Sequence, residues 1–128
     1  MASQDELDAI ARLSIADEQQ LWRRIPNRPS YVIYDENLGR PRPTSLAFDD
    51  PRMSVTIDEG RTTLAQLLIG HDGFFVASLE TGFVRALGQV LERKPLSHDL
   101  SHAEVVGNKT RSICSRMAKT AGWVVAPP

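Results

Sequence analysis

HAEVVGNKTR, residues 102–111, sets a β-branched strand, a glycine and Lys-Thr at the start of an amphipathic helix. That order cradles phosphate in nucleotide-binding loops, so the stretch is either an anion site or a bend joining sheet to helix. A P-loop requires Gly-x-x-x-x-Gly-Lys-[Ser/Thr], whose successive amides wrap a β-phosphate. Aligned on Lys109 and Thr110, the glycine positions fall on Ala103 and Asn108, and Ala103 lies within the expected strand. No loop is left to do the wrapping, and the P-loop is rejected. What remains is scaffold: Gly107-Asn108 as a tight turn, with Asn108 capping a helix from about 109 to 121. The sharper alternative is a generic anion site at the helix start, formed by Lys109, Thr110 and Arg111.

On that helix Ile113, Cys114, Met117, Ala118 and Ala121 share one side, and Lys109, Arg111, Arg116 and Lys119 the other. The charged side is a solvated face or a docking surface, with Arg116 and Lys119 as contacts. Cys114, on the apolar side, reads as a buried structural thiol. It is the only cysteine, which excludes an intrachain disulfide and a thiolate zinc cluster.

Upstream, the spacing predicts a helix over about 4–13, opened by Ser3-Gln-Asp-Glu6, and a second helical start at Ser14-Ile-Ala-Asp17. LWRRIP (21–26) either closes that helix or forms a strand. YVIY (31–34), TSLAF (44–48), MSVTI (53–57), GFFVASLE (73–80), GQVLER (88–93) and WVV (123–125) read as further strands, GFFVASLE as the central one. MSVTI alternates, with Met53, Val55 and Ile57 on one face, as in an antiparallel strand with one wet side. Thr62–Ile69 and TGFVRAL (81–87) read as short helices. The whole is expected to be one α+β domain over 1–128, with a small, mostly antiparallel or mixed sheet and short helices. Its first 20 residues form a helical segment, and an amphipathic helix closes the chain.

At 128 residues the chain can bury roughly two thirds of its unfolded surface. A 41% hydrophobic and 24% charged composition is that of a soluble globular protein, and no apolar run approaches the ~20 residues of a membrane span. The start, MASQDELD, is neither a secretory signal nor a transit peptide. A cytoplasmic setting without membrane contact is expected. Net charge is −1, but residues 1–84 hold 8 basic and 13 acidic side chains and residues 85–128 hold 7 and 3. The basic lobe suits phosphate, nucleic acid or an acidic protein, and it is too small and too poor in aromatics to favour nucleic acid.

LWRRIPNRPSYVIYDENLGRPRPTSLAF (21–48) gathers Arg23, Arg24, Arg28, Arg40 and Arg42 with Tyr31 and Tyr34 around prolines. Such a block marks a structured surface that carries contacts. Arg24, Arg40 and Arg42 are candidates for holding phosphate, and Trp22, Tyr31 and Tyr34 for meeting a partner. The plainer alternative pairs these arginines with Asp35, Glu36, Asp49 and Asp50. His98-Asp-Leu-Ser-His102 has the spacing of a zinc helix, but Pro95 and Val105-Val106-Gly107 leave it too short for one, and no metal is expected. His102-Ala-Glu104 lacks the Pro-Cys-x-x-Cys partner that a zinc deaminase needs.

As a set, LWRRIP, DENLGRPRPTSLAFDD, MSV, HAEVVGNKTR and AGWVVAPP resembles a group of small uncharacterised bacterial proteins, over most of residues 21–128. The chain is also similar, faintly, to ADP-ribosyltransferase-like and NAD-degrading toxin domains, which open on an arginine-bearing strand, as 21–25 would be, and later place a serine on a strand, as Ser45 would be. That resemblance implies an enzyme handling NAD or another nucleotide, with Arg24 on phosphate, and Ser45, His102 and a glutamate (Glu80 or Glu104) near the reacting sugar. The leading expectation is different: an accessory protein that needs no cofactor and acts through protein–protein contacts in a larger bacterial system. Convergence of Arg24, Ser45 and His102 on one pocket would favour the enzyme, and an exposed Trp22, Tyr31 or Phe48 the interaction protein.

Overall fold

The computed structural model describes residues 2–128. Strand β4 (Arg52–Ile57) shows why the chain forms a sheet: Met53, Val55 and Ile57 point into the core, while Arg52 and Ser54 remain exposed. The same two-residue period places Ala103 and Val105 of β7 (His102–Val106) on the core side, with His102 and Glu104 opposite. Together with β1 (Gln20–Ile25), β5 (Phe75–Glu80), β6 (Val90–Arg93) and β8 (Gly122–Val125) they build a six-stranded sheet in the order β6-β7-β4-β1-β5-β8. Every pairing is antiparallel. A separate hairpin pairs β2 (Val32–Asp35) with β3 (Arg40–Pro43). With α1 (Gln4–Ala11), α2 (Leu64–Leu67), α3 (Thr81–Ala86) and α4 (Arg111–Thr120), the fold is α+β, as the sequence indicates.

The main core lies on one face of the sheet. Leu21, Ile25, Phe48, Met53, Ile57, Val84, Val105 and Met117 fill it, and Met117, Ala118 and Ala121 bring α4 against it. A smaller cluster on the other face joins Trp22 and Val76 to Leu67 of α2. No helix among the described residues is long and apolar enough to cross a membrane.

Several expectations change. TSLAF is not a strand: Ser45–Phe48 is a 3-10 turn that sends Ala47 and Phe48 inward and leaves Leu46 half exposed. Ser14–Asp17 starts no helix, because the Gln19 side chain accepts from the Ala16 amide and closes a turn instead. LWRRI is a strand. β5 lies one place from the sheet edge, whereas β4 and β1 occupy the middle.

The opening stretch is a joint. Thr110, not Asn108, caps α4, its hydroxyl accepting from the Ile113 amide at 3.2 Å, and the helix begins at Arg111. The Lys109 ammonium donates to the Val105 carbonyl at 2.7 Å and to the Gln89 amide oxygen at 2.9 Å, tying the end of β7 to the turn before β6. Gln89 also donates to the Asn108 carbonyl, and its side chain lies where a Cβ on Gly107 would fall, 2.7 Å from Oε1. Burial pulls the Lys109 amine below its usual range, against the attraction of Asp50.

Candidate functional site

β1 and β5 pair over their full length, from Gln20↔Glu80 to Ile25↔Phe75. On its other side β1 meets β4 only at Leu21↔Ile57 and Trp22↔Thr56. Beyond that point β4 continues its pairing with β7, from Thr56↔His102 to Arg52↔Val106, and β1 turns away from it. The middle of the sheet therefore opens between Arg23-Arg24 and Ser54-Val55, giving a cleft of about 250 Å³.

Its walls follow from that split. Trp22, Arg23, Arg24 and Pro26 stand on the β1 side, with Ser54, Val55 and Thr56 opposite. Leu67, His71 and Phe74 close one end from α2 and the turn after it; Tyr31 and Ala47 reach in from the arginine-proline block, and Asp99 and His102 from the start of β7. α2 is capped at Leu68, and Gly70, at φ 76°, takes the left-handed geometry of the turn that follows. That turn is closed by the His71 amide donating to the Leu68 carbonyl and leads to His71 and Phe74 at the cleft. His71 and Phe74 meet edge to face, 5.0 Å between centroids.

The polar groups are firmly held. Arg23 spans the split: its Nε donates to the Ala47 carbonyl at 3.1 Å and its Nη1 to the Ser54 carbonyl at 2.9 Å. Burial draws this guanidinium below its usual range, with the charge of Asp50 opposing. Arg24 Nη1 donates to the Leu67 carbonyl at 3.0 Å. Among the described residues neither arginine has a carboxylate within ion-pair distance. Asp99, buried, accepts from the hydroxyls of Thr56 and Thr62 and from the Ser101 amide, so its two oxygens are occupied by neutral donors. The His102 ring contacts the Lys94 carbonyl through Nδ1 at 2.8 Å and the Ser54 hydroxyl through Nε2 at 3.2 Å. Two arginines against one carboxylate leave the cleft cationic, and Trp22, Tyr31 and Phe74 give it aromatic walls.

Of the catalytic candidates read from sequence, Arg24 and His102 meet here, joined by Trp22 and Tyr31. Ser45 does not join them; it lines a separate depression with Asp49, Lys109, Arg111 and Cys114. Glu80 ends β5 beside Gln20, at the opposite end of β1 from the cleft. Glu104 ion-pairs with Arg52 at 2.9 Å and does not line the cleft. Trp22, expected on an interaction surface, is only 9% exposed, because α2 packs over it. Tyr34, at 61%, is the exposed aromatic of the hairpin, and Tyr31 is half-buried at the cleft. Arg42 pairs with Asp35 at 2.6 Å, as the plainer reading of the block required, whereas Arg28 and Arg40 have no ion pair among the described residues. Cys114 is buried, and burial pushes its thiol up. Arg116 and Lys119 face outward from α4.

Sequence reading missed Ser54, Thr56 and Asp99 as cleft residues. For the first two a signal existed. The alternation of MSVTI puts both hydroxyls on the side away from Met53, Val55 and Ile57, and hydroxyls on a wet sheet face are available for contacts. Comparison with protein families, with curated proteins and with solved structures finds no match for this chain.

Proposed function

We propose that the protein binds a small anionic, ring-bearing metabolite of the nucleotide class in the cleft between β1 and β4, with Arg24 as its phosphate contact. The split in the sheet carries this reading: it opens a concave, cationic, aromatic-lined site in the middle of the fold, where Arg24 and His102 converge. Arginine suits phosphate because its planar fork donates in pairs, and the half-buried Tyr31 at the cleft offers a face to a base. NAD belongs to the same ligand class, in line with the resemblance to NAD-handling domains. The expected outcome is saturable binding of ADP or NAD by titration calorimetry, weakened about tenfold or more in Arg24→Gln, since a hydrogen bond to a charged group contributes about 1.5–3 kcal/mol. Heat of dilution alone for ADP, AMP and NAD would remove the proposal.

The accessory-protein reading retains a separate support. On the hairpin, Ile33, Tyr34 and Leu38 are 48%, 61% and 44% exposed, three apolar side chains outside the cleft, of which Tyr34 is the most available to a protein partner. Pull-down with wild-type protein and with Tyr34→Ser tests it; equal recovery of every partner by both forms would rule the hairpin out.

A further inference from the structure

Within the cleft two hydrogen bonds of His102 fix its chemistry. Nδ1 lies 2.8 Å from the Lys94 carbonyl, an oxygen that can only accept, so Nδ1 carries the proton and donates. In the neutral ring Nε2 then presents its lone pair, and 3.2 Å away is the hydroxyl of Ser54, which donates to it. Among the described residues that hydroxyl has no other hydrogen-bond partner. A hydroxyl within reach of an imidazole, with the imidazole oriented by a third group, is the arrangement that activates a serine. Strand register produces it: Ser54 stands opposite Glu104 and Thr56 opposite His102, so Ser54 and His102 are diagonal neighbours on one face of β4 and β7. Both line the cleft, Ser54 is exposed to an incoming molecule, and Arg23 holds the Ser54 backbone carbonyl from the other side of the split.

We infer that Ser54 is a nucleophile and His102 its general base, and that the pair cleaves an acyl ester of a phosphorylated alcohol. The hydroxyl–imidazole pair fits acyl transfer, for which an ester is the least demanding substrate; the phosphate rests on the ligand class proposed above, with Arg24 as its contact. Ser54 Oγ attacks the ester carbonyl carbon and forms the new C–O bond while its proton passes to His102 Nε2 and the carbonyl electron pair moves onto oxygen. The positive charge of Arg23, beside Ser54 in the same cleft, favours the resulting oxyanion. Collapse restores the carbonyl and breaks the bond to the alcohol, which takes the proton from Nε2. Water then attacks the acyl-serine, giving its proton to Nε2; that proton returns to Ser54 Oγ as the carboxylic acid leaves. Ester and water become acid and alcohol, and no other reactant is needed.

The test is a fluorophosphonate probe on the folded protein, with the adduct located by peptide mass spectrometry. Expected is labelling at Ser54 much faster than at the exposed Ser97. His102→Asn should slow it at least about 100-fold, the lower end of what a general base contributes, and Ser45→Ala should leave it unchanged. Labelling of Ser54 no faster than of Ser97 in wild-type protein overturns the inference, whether or not the variants fold. So does an undiminished rate in His102→Asn that retains its circular dichroism. Calorimetry with ADP separates the two proposals: Ser54 labelling without ADP binding leaves the dyad standing and removes the phosphate, and ADP binding without Ser54 labelling does the reverse.

Discussion

When ionised, the Glu59 carboxylate closes a cluster that no local pattern announces. Arg93 holds it through two bonds, Nη2 to Oε1 at 2.7 Å and Nη1 to Oε2 at 2.8 Å, and Ser101 donates its hydroxyl to Oε2. Arg61 lies 3.0 Å from Oε1. Burial alone would raise this acid, but the bonds from Arg93 and Ser101 and the charges of Arg93 and Arg61 outweigh it, leaving the carboxyl at about 2. The folded value lies below the ordinary one, so the stabilisation is complete above about pH 4.5 and is lost as pH falls toward 2. With side chains only 3% and 7% exposed, Arg93 and Glu59 are a buried pair. Glu59→Gln should therefore cost roughly 3 kcal/mol in urea unfolding at pH 7, and less below pH 4, where the wild-type protein is itself losing the contact. Arg93 also donates to the carbonyls of Leu13 and Ser14, so the same residue pins the segment after α1. These partners lie 34 and about 80 positions away, which is why composition and spacing gave no hint of them.

Elements were most legible where a period was long enough to read. The ten residues of α4 present the buried Cys114, Met117 and Ala118 at helical spacing, and β4 alternates over six. Short apolar runs were not: TSLAF has strand composition, yet the prolines before it and the inward turn of Phe48 make it a 3-10 turn, and four or five residues do not distinguish the two. At the β7–α4 joint the Thr110 cap and the crowding at Gly107 act on one element boundary. Thr110→Ala should cost about 1 kcal/mol. Gly107→Ala should cost roughly 1–3 kcal/mol, because a methyl there must displace the Gln89 amide from both Lys109 and Asn108. Thermal unfolding of the two variants checks both, with the larger fall in midpoint expected for Gly107→Ala.

At the scale of the molecule, strand order brings the site together. β1 is the first strand of the sheet in sequence, yet it lies between β4 and β5, and the cleft exists because it leaves β4 after two residue pairs. MSVTI and HAEVV are legible as strands in isolation, whereas LWRRI fits a strand or a helix end equally and RPRP carries no strand pattern. Which pairs part company depends on long-range register, of which a single sequence contains no direct record. Hence the sequence points to Arg24 and His102 but not to Ser54, whose strand lies between theirs in the sheet. The split exists only in the folded sheet, so a ligand that binds there and not to the unfolded chain should raise stability by about 2.7 kcal/mol at a free concentration 100 times its Kd. A thermal midpoint that stays constant across an ADP series would argue against occupancy of this site.

Trp22 forms part of the cleft wall, while Trp123, the other tryptophan, hydrogen-bonds through its indole nitrogen to the Pro41 carbonyl at 3.0 Å and packs edge-on to Phe75. The molecule thus contains two indole fluorophores in different places. Replacing Trp123 with phenylalanine silences the hairpin signal and leaves one indole whose emission follows filling and emptying of the split, so kinetics there can be watched without attaching any dye.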